Sequence, residues 1–567
     1  MSKVTRHRSA GTIANSAVVS GDTFKAKVGN VTAPNTQAEP DGTAVTDVRS
    51  MRHGFSVWGA SGLSFAAMRP LVGVAVGGYL ITWAGVAGWM AVAVLMALVL
   101  VVSLVFGALT SRWPLEGSVA AWTRQLLGAR TGMMAGWLYL CSYVLYMGTL
   151  AFFDAQRLFY LFNISAPAPM QAAVVSAVVL VVATAFNALS RRLLVVVVSV
   201  AAVVSALGCL VFGTMLLAHA QRGILDVFHT PAGGSLDWAW WSGPFLLAIA
   251  WSTAFCLRGF ELPADVAEEV REPRINVGRA MVWTVLVGGL LTLYAVIAVA
   301  LAVPADSTVS DVTAQNPYAA SVGTLMETVL GSAAAKAFAV LMIVVTFAAL
   351  AIAQLAASRT LWTMARDREL PAHGWLGRLS RGPRMPVNAL IVVGLAAAVL
   401  PFLLPDRTAY VLGGASAVPL LLAMLLPVVG LLRSRRRGEW QGEHWGASRW
   451  LGVAAVVAAI ALAALAVDVA WPHEEIYVAG LAAWRPLIIL AAIIVAGLIL
   501  MVWAFRDDGV HVRNHGHVDR DLHERILLAH TGTCSVCHRA LAEGEEVFWN
   551  PEAHVTICVV CDVDVVV

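Results

Sequence analysis

The chain has 567 residues, of which 59% are hydrophobic and 13% charged, with a formal net charge of +3. Soluble domains carry roughly 25% charged residues, so a soluble globular protein is excluded and an integral membrane protein with polar tails is expected. The near-neutral balance argues against a nucleic-acid partner, which would demand a strongly basic surface.

Residues 1–50 are rich in Ser, Thr, Gly, Asp and Pro and contain no apolar run. They read as a disordered cytoplasmic tail rather than a signal peptide. From residue 51 to 505 the sequence predicts a transmembrane domain of 12 helices. The spans fall near 55–79, 84–107, 134–161, 171–188, 193–218, 244–263, 280–303, 334–357, 387–404, 409–432, 450–471 and 485–505. Orientation follows from arginine asymmetry. The loops on the N-terminal side hold 19 arginines, the first Arg112 and the last Arg449, whereas the opposite loops hold only Arg222, Arg407 and Arg485. Both termini are therefore expected in the cytoplasm, in a multi-pass protein of the cell membrane with the lipid bilayer as its surroundings.

Two spans are interrupted. The first runs apolar to Met68, then meets Arg69 and Pro70. The sixth runs apolar from Pro244 to Leu257, then meets Arg258, Gly259 and Glu261. A spanning helix needs roughly 20 apolar residues, and Gly- or Pro-interrupted spans in matching positions point to a transporter's binding site. Each Arg follows its span start by the same distance, about 21 Å at ~1.5 Å per residue. A five-helix unit used twice accounts for the spacing. If the two units are inverted, the breaks meet at the midplane and their free backbone groups line a cavity. The alternative is a pair of simple kinks with paired or snorkelling arginines.

Several segments resemble a known family. GFSVWGASGLSFA (54–66), ALTSRWPLEGSVAAW (108–122), GFELPADVAEEVREPRINVGRAM (259–281) and ASRTLWTMARDRELPAHGWLGRLS (357–380) followed by MPVNAL (385–390) are similar to amino acid permeases of the amino acid–polyamine–organocation superfamily. The nearest branch carries amino acids, γ-aminobutyrate and choline-like solutes. The resemblance implies an all-α membrane protein with 12 transmembrane helices, a five-plus-five inverted repeat, broken helices 1 and 6, alternating access and secondary transport. Its substrate would be a small-molecule amino acid or amine. The chain departs from the family at two points. The nearest stretch to the usual Gly-rich first break is Ala66-Ala67-Met68-Arg69-Pro70, and Arg258 stands where relatives usually have a small or hydroxyl residue.

Candidate substrate-binding residues are Phe65, Ala66, Ala67, Met68 and Arg69 at the first break and Phe255, Cys256, Leu257, Arg258 and Gly259 at the second. Arginine binds carboxylates bidentately, and helix N-termini favour anions. A carboxylate-bearing substrate is therefore one reading; the other pairs Arg258 with Glu261 and Arg69 elsewhere. Coupling or gating candidates are Glu261, Asp154 and Arg157. The last two lie i, i+3 on the third span and form either a structural ion pair near its outer end or an outer gate. Thr346 is a candidate sodium contact. The coupling ion, whether proton, sodium or counter-substrate, stays open. The acid-then-base segment Ala264–Arg279 reads as a solvated cytosolic turn, with an inner gate as the alternative.

Residues 506–530 form a His-rich linker, and 531–567 a small β-rich module. Cys534-x2-Cys537 and Cys558-x2-Cys561 match a tetrahedral four-thiolate zinc site. The zinc would be structural, because four thiolates leave no open position. The chain shows no nucleotide-binding loop and no nucleophile constellation, so it is not expected to be an enzyme. The leading function is uptake or exchange of amino acids or related small amines. A transporter-like solute sensor, signalling through the zinc module, is the alternative.

Overall fold

The computed structural model describes most of 57–506, omitting 116, 165–166, 190, 229–235, 257, 304–320, 381–384, 404–407, 441, 443 and 478–479; beyond 506 it describes 524–527, 532–533, 540–541, 546–550 and 555–558. Ten described helical spans are long and apolar enough to cross a membrane, by length and composition. The chain is thus a multi-pass, all-α membrane protein through 57–506.

The helices used below are α1 (Val57–Met68), α2 (Val72–Ala84), α3 (Trp89–Arg112), α4 (Ser118–Leu127), α5 (Ala129–Leu161), α6 (Pro169–Leu189), α7 (Arg191–Ala218), α8 (Trp238–Ser242), α9 (Pro244–Cys256), α10 (Leu262–Asp265) and α11 (Pro273–Ala302). They are followed by α12 (Ser321–Leu330), α13 (Ser332–Arg366), α14 (His373–Leu376), α15 (Val387–Leu403), α16 (Thr408–Arg436), α17 (Leu451–Ala470), α18 (Glu474–Tyr477) and α19 (Arg485–Ala504). The expected sixth and ninth spans are the short ones. α9 has 13 residues and α15 has 17, both below the roughly 20 that cross a bilayer unaided.

Two helices organise the packing. α5, 33 residues long, lies against α16, α13, α4 and α6. α11 lies against α3, α2, α7 and α1. Small residues let these helices approach closely, the usual device where no hydrophobic driving force separates helix from lipid. Gly107 of α3 faces Gly278 of α11, and a Cβ on either would meet the other's Cα within 3.3 Å. The lipid-facing sides of α6, α7 and α17 carry exposed Val, Leu and Ile, including Val182, Val196 and Ile460, as bilayer solvation permits.

Beyond residue 506 two small antiparallel sheets are formed. In one, Glu546–Asn550 pairs with both Glu524–Leu527 and Val555–Cys558. In the other, Thr533 pairs with Ala540. Cys558 closes the last strand, whereas Cys534, Cys537 and Cys561 of the expected zinc site lie outside the described residues, as do the tail 1–50 and most of the His-rich linker.

Candidate substrate site at the paired helix breaks

The interruption of the first span is real. α1 ends at Met68 and α2 begins at Val72. Arg69 takes the left-handed region at φ 52°, which costs a non-glycine residue energy and is tolerated where surroundings fix it. The turn satisfies its own backbone: Val72 N–H donates to Arg69 O at 2.8 Å and Gly73 N–H to Pro70 O at 2.9 Å. Leu71 N–H finds the Ser205 hydroxyl on α7 at 3.2 Å.

The second interruption separates α9 from α10. Gly259 sits at φ 101°, a conformation that favours glycine. Its backbone is satisfied mainly by side chains, one from the turn itself and one from α1. Glu261 Oε2 accepts from Gly259 N–H at 3.0 Å, and Gly259 O accepts from the Ser64 hydroxyl of α1 at 2.6 Å. A Cβ at Gly259 would fall 2.7 Å from Ala67 Cβ and 2.8 Å from Met68 N. The two breaks are therefore in contact.

One face of α5 lines both. Tyr139, Tyr143 and Tyr146 recur at i, i+4 and i+7, the spacing that aligns side chains on a helix. The Arg69 guanidinium donates to the Tyr146 hydroxyl. Arg258 Cζ lies 4.2 Å above the Tyr146 ring and 5.7 Å from that of Tyr143. Arg258 also donates to Ser142 Oγ at 2.9 Å and to Ser416 Oγ of α16 at 2.7 Å. Tyr143 donates to Glu261 Oε1 at 2.6 Å, and Tyr139 to Asp265 Oδ2 at 2.6 Å. The expected Arg258–Glu261 pair is thus replaced: Tyr143 and the Gly259 amide hold the carboxylate, while two serines and two aromatic faces hold the guanidinium.

The remaining candidates fall into place around this cluster. Ala66, Ala67 and Met68 are buried, Phe65 is half-buried, and Cys256 is buried. Phe255 packs tilted against Trp251 at 4.3 Å and edge-on against Phe153 at 5.6 Å between ring centroids. Leu257 lies outside the described residues. Asp154 and Arg157 form an ion pair at 2.9 Å; Asp154 is only 1% exposed, so the pair is internal rather than at a wet rim. Arg157 also donates to Thr346 Oγ1 at 3.2 Å, which places a guanidinium on the hydroxyl expected to meet sodium.

Above the breaks along α9 stands an aromatic group of Tyr79, Trp83, Trp251 and Tyr410, with Tyr79 and Tyr410 hydroxyls 3.2 Å apart. Towards α10, Asp265 accepts hydrogen bonds from Ser118 at the start of α4 and from Tyr139. The segment Ala264–Arg279 is therefore not wholly a solvated turn: Asp265 is buried, whereas Arg271, Glu272, Arg274 and Arg279 are exposed. Arg124 of α4 reaches the loop after α13, pairing with Asp367 and Glu369. Burial pushes the Glu369 carboxyl up to about 7, with Arg124 pulling the other way. Burial acts to lower the pKa of Arg124, but Glu369 and Asp367 outweigh it and hold the guanidinium above its usual value.

The three tyrosines, Ser142, Ser416 and Asp265 escaped the sequence reading. The tyrosine spacing was a usable signal; the serines and Asp265 carried none, because their partners lie more than 100 residues away.

The family model described as amino acid permease matches residues 55–499. The chain belongs to the amino acid permease family. It is 28% identical over 347 residues to an uncharacterized transporter of Mycobacterium tuberculosis, covering 57% of this chain and 71% of that protein. It is 26% identical over 311 residues to the low-affinity putrescine importer of Escherichia coli K12, covering 53% of this chain and 63% of that protein. Among solved structures it resembles the Eremococcus coleocola manganese transporter, with TM-score 0.51 and 15% identity over 83% of this chain and all of that one. That likeness bears on the fold alone. Family and relatives mark this permease as a transporter of small molecules across a lipid bilayer rather than an enzyme.

Proposed function

We propose that this permease carries out secondary-active uptake or exchange of amino acids or related small amines across the cytoplasmic membrane by alternating access. The observation that carries the reading is the contact of the two helix breaks, Gly259 against Ala67 and Met68. Irregular backbone at membrane depth is tolerated where it is buried in protein or lines a cavity, and paired breaks are where transporter folds bind substrate.

On this reading α9–α10 is the sixth span and α15 the ninth, making twelve with the ten long ones. The first ten form a five-plus-five inverted repeat, and both termini face the cytoplasm. The amino acid and choline-like branch is the proposed subfamily. Substrate contacts come from Phe65–Arg69 and Phe255–Gly259. The aromatic group at Tyr79, Trp251 and Tyr410 closes the outer side, and the Asp265–Ser118–Tyr139 contacts close the inner one. Glu261, Asp154 and Arg157 serve in coupling or gating.

The C-terminal module is proposed to hold a structural zinc through Cys534, Cys537, Cys558 and Cys561. Two features support the fit: the pairing of Thr533 with Ala540 brackets the first Cys pair, and Cys558 ends a paired strand. Four thiolates suit tetrahedral zinc.

The test is uptake of radiolabelled solutes into proteoliposomes, empty or preloaded. Accumulation driven by an ion gradient or by internal solute is expected. Solute binding without movement under either condition would sink the transport reading and favour a sensor.

A further inference from the structure

We infer that the cargo of this site is a small solute bearing two carboxylates, and that Arg258 is the residue that selects it. This rests on the transport reading above and narrows it. Arg69 and Arg258 are 3% and 2% exposed. Both converge on Tyr146, one at its hydroxyl and the other over its ring. Among the described residues, every direct partner of Arg258 is neutral: Ser142, Ser416 and the faces of Tyr143 and Tyr146.

Among the described residues at the breaks, each carboxylate already has a partner, and one oxygen, Asp154 Oδ2, is buried without a hydrogen bond of its own. Glu261 has one oxygen on Tyr143 and the other on the Gly259 amide. Asp154 is bound to Arg157, and Asp265 to Ser118 and Tyr139. The Nε atoms of both Arg69 and Arg258 are buried without an acceptor. A buried guanidinium is costly unless paired, and its planar fork matches a carboxylate.

A second observation sets the position where an anion would bind. Both guanidiniums flank the touching breaks, where Gly259 lies against Ala67 and Met68. A diamine would bring positive charge to two cations. A neutral amino acid would bring one carboxylate and an ammonium. A solute with two carboxylates answers both guanidiniums. A relative of this chain is named for putrescine import, so the charge of the cargo would differ between the two, and Arg258 is the residue at the break that would impose the change.

The experiment is a competition panel in proteoliposomes of the full chain, following radiolabelled glutamate against unlabelled succinate, leucine and putrescine. Labelled succinate, leucine and putrescine are run as separate uptake arms. Glutamate or succinate uptake is expected, with putrescine failing to compete; the two arms tell whether an amino group is needed. Arg258→Gln should lower kcat/KM for the dicarboxylate about 10- to 100-fold, the size of one charge-assisted hydrogen bond, chiefly through KM. Arg258→Lys should restore part of the loss. Should the variants fail to assemble, thermal unfolding of the wild-type protein decides: glutamate or succinate raises the midpoint and putrescine does not. Uptake of leucine or putrescine that neither dicarboxylate inhibits would overturn this inference and leave transport standing. No uptake and no midpoint shift with any of the four would overturn both.

Discussion

The two breaks solve the same problem in opposite ways. The first, at Arg69–Leu71, closes largely on itself through short backbone bonds within the turn, handing only the Leu71 amide to Ser205 of α7. The second, at Arg258–Glu261, borrows its partners from elsewhere: Ser64 from α1, Tyr143 and Ser142 from α5 and Ser416 from α16. A self-contained turn tolerates change in its neighbours. A turn held by remote side chains does not, and it is the one whose geometry other helices can alter.

The sharpest way to break the contrast is Gly259→Ala. The new Cβ meets Ala67 and Met68 at 2.7–2.8 Å from a φ of 101°, which costs at least about 1–3 kcal/mol in backbone strain alone. Loss of uptake and of properly folded protein on size-exclusion chromatography is expected. Gly62→Ala on α1 is the control: nothing lies within 4 Å of its added Cβ, so uptake should be unchanged. Wild-type behaviour of Gly259→Ala would show that the breaks do not press on one another.

A more selective comparison uses the tyrosines. Tyr143→Phe strips Glu261 of a donor at the second break; Tyr146→Phe strips Arg69 of its acceptor at the first while leaving the ring beneath Arg258. Each should cost about 1–3 kcal/mol, the penalty for a buried polar group left unsatisfied, seen as a lower thermal unfolding midpoint. Only Tyr143→Phe should also slow uptake markedly, because its partner holds the remote-propped turn. Equal slowing by both would erase the distinction.

Weaker effects are expected away from the breaks. Glu369 has its pKa raised to about 7; the protonated form is favoured by the fold. Its contribution to stability is complete below the ordinary carboxylate range and is lost as pH rises through about 7. The pH slope of the unfolding midpoint between 5 and 8 should flatten in Glu369→Gln; an unchanged slope would discount the group. Thr346→Ala should leave the response of uptake to sodium unchanged, since Arg157 already occupies that hydroxyl; sodium stimulation present in the wild type and lost in the variant would reverse this. The smallest effect on uptake, within about twofold, should come from Cys534→Ser, whose readout is bound zinc by atomic absorption. Full zinc retention there would remove that residue from the proposed ligand set.

The breaks were legible because charge and chain-breakers interrupt apolar runs, at Arg69-Pro70 and Arg258-Gly259. Orientation of polar partners was not. Nothing near Arg258 in sequence points to Ser142 or Ser416, since only the packing of α5 against α16 brings them together. Asp265 looked solvated because six other residues of Ala264–Arg279 are charged, yet it is buried and bonded to Ser118 and Tyr139. Helix α15 was legible in its bounds, 387–404 expected against Val387–Leu403, but an apolar run alone does not tell whether 17 residues cross a bilayer.

The tyrosine face of α5 has a mechanical consequence. From Tyr139 to Tyr146 it extends about 10 Å along the helix axis at ~1.5 Å per residue, and over that length it grips Asp265, Glu261, Arg258 and Arg69. The two breaks are thus bolted to a common beam. Displacing either one away from α5 would release several charge-assisted bonds at once, so the cheaper motion carries both breaks and α5 together as one block. The sliding plane then belongs at the apolar contacts between this block and the helices around it, away from its two outward charge-assisted bonds, Arg258 to Ser416 of α16 and Asp265 to Ser118 of α4.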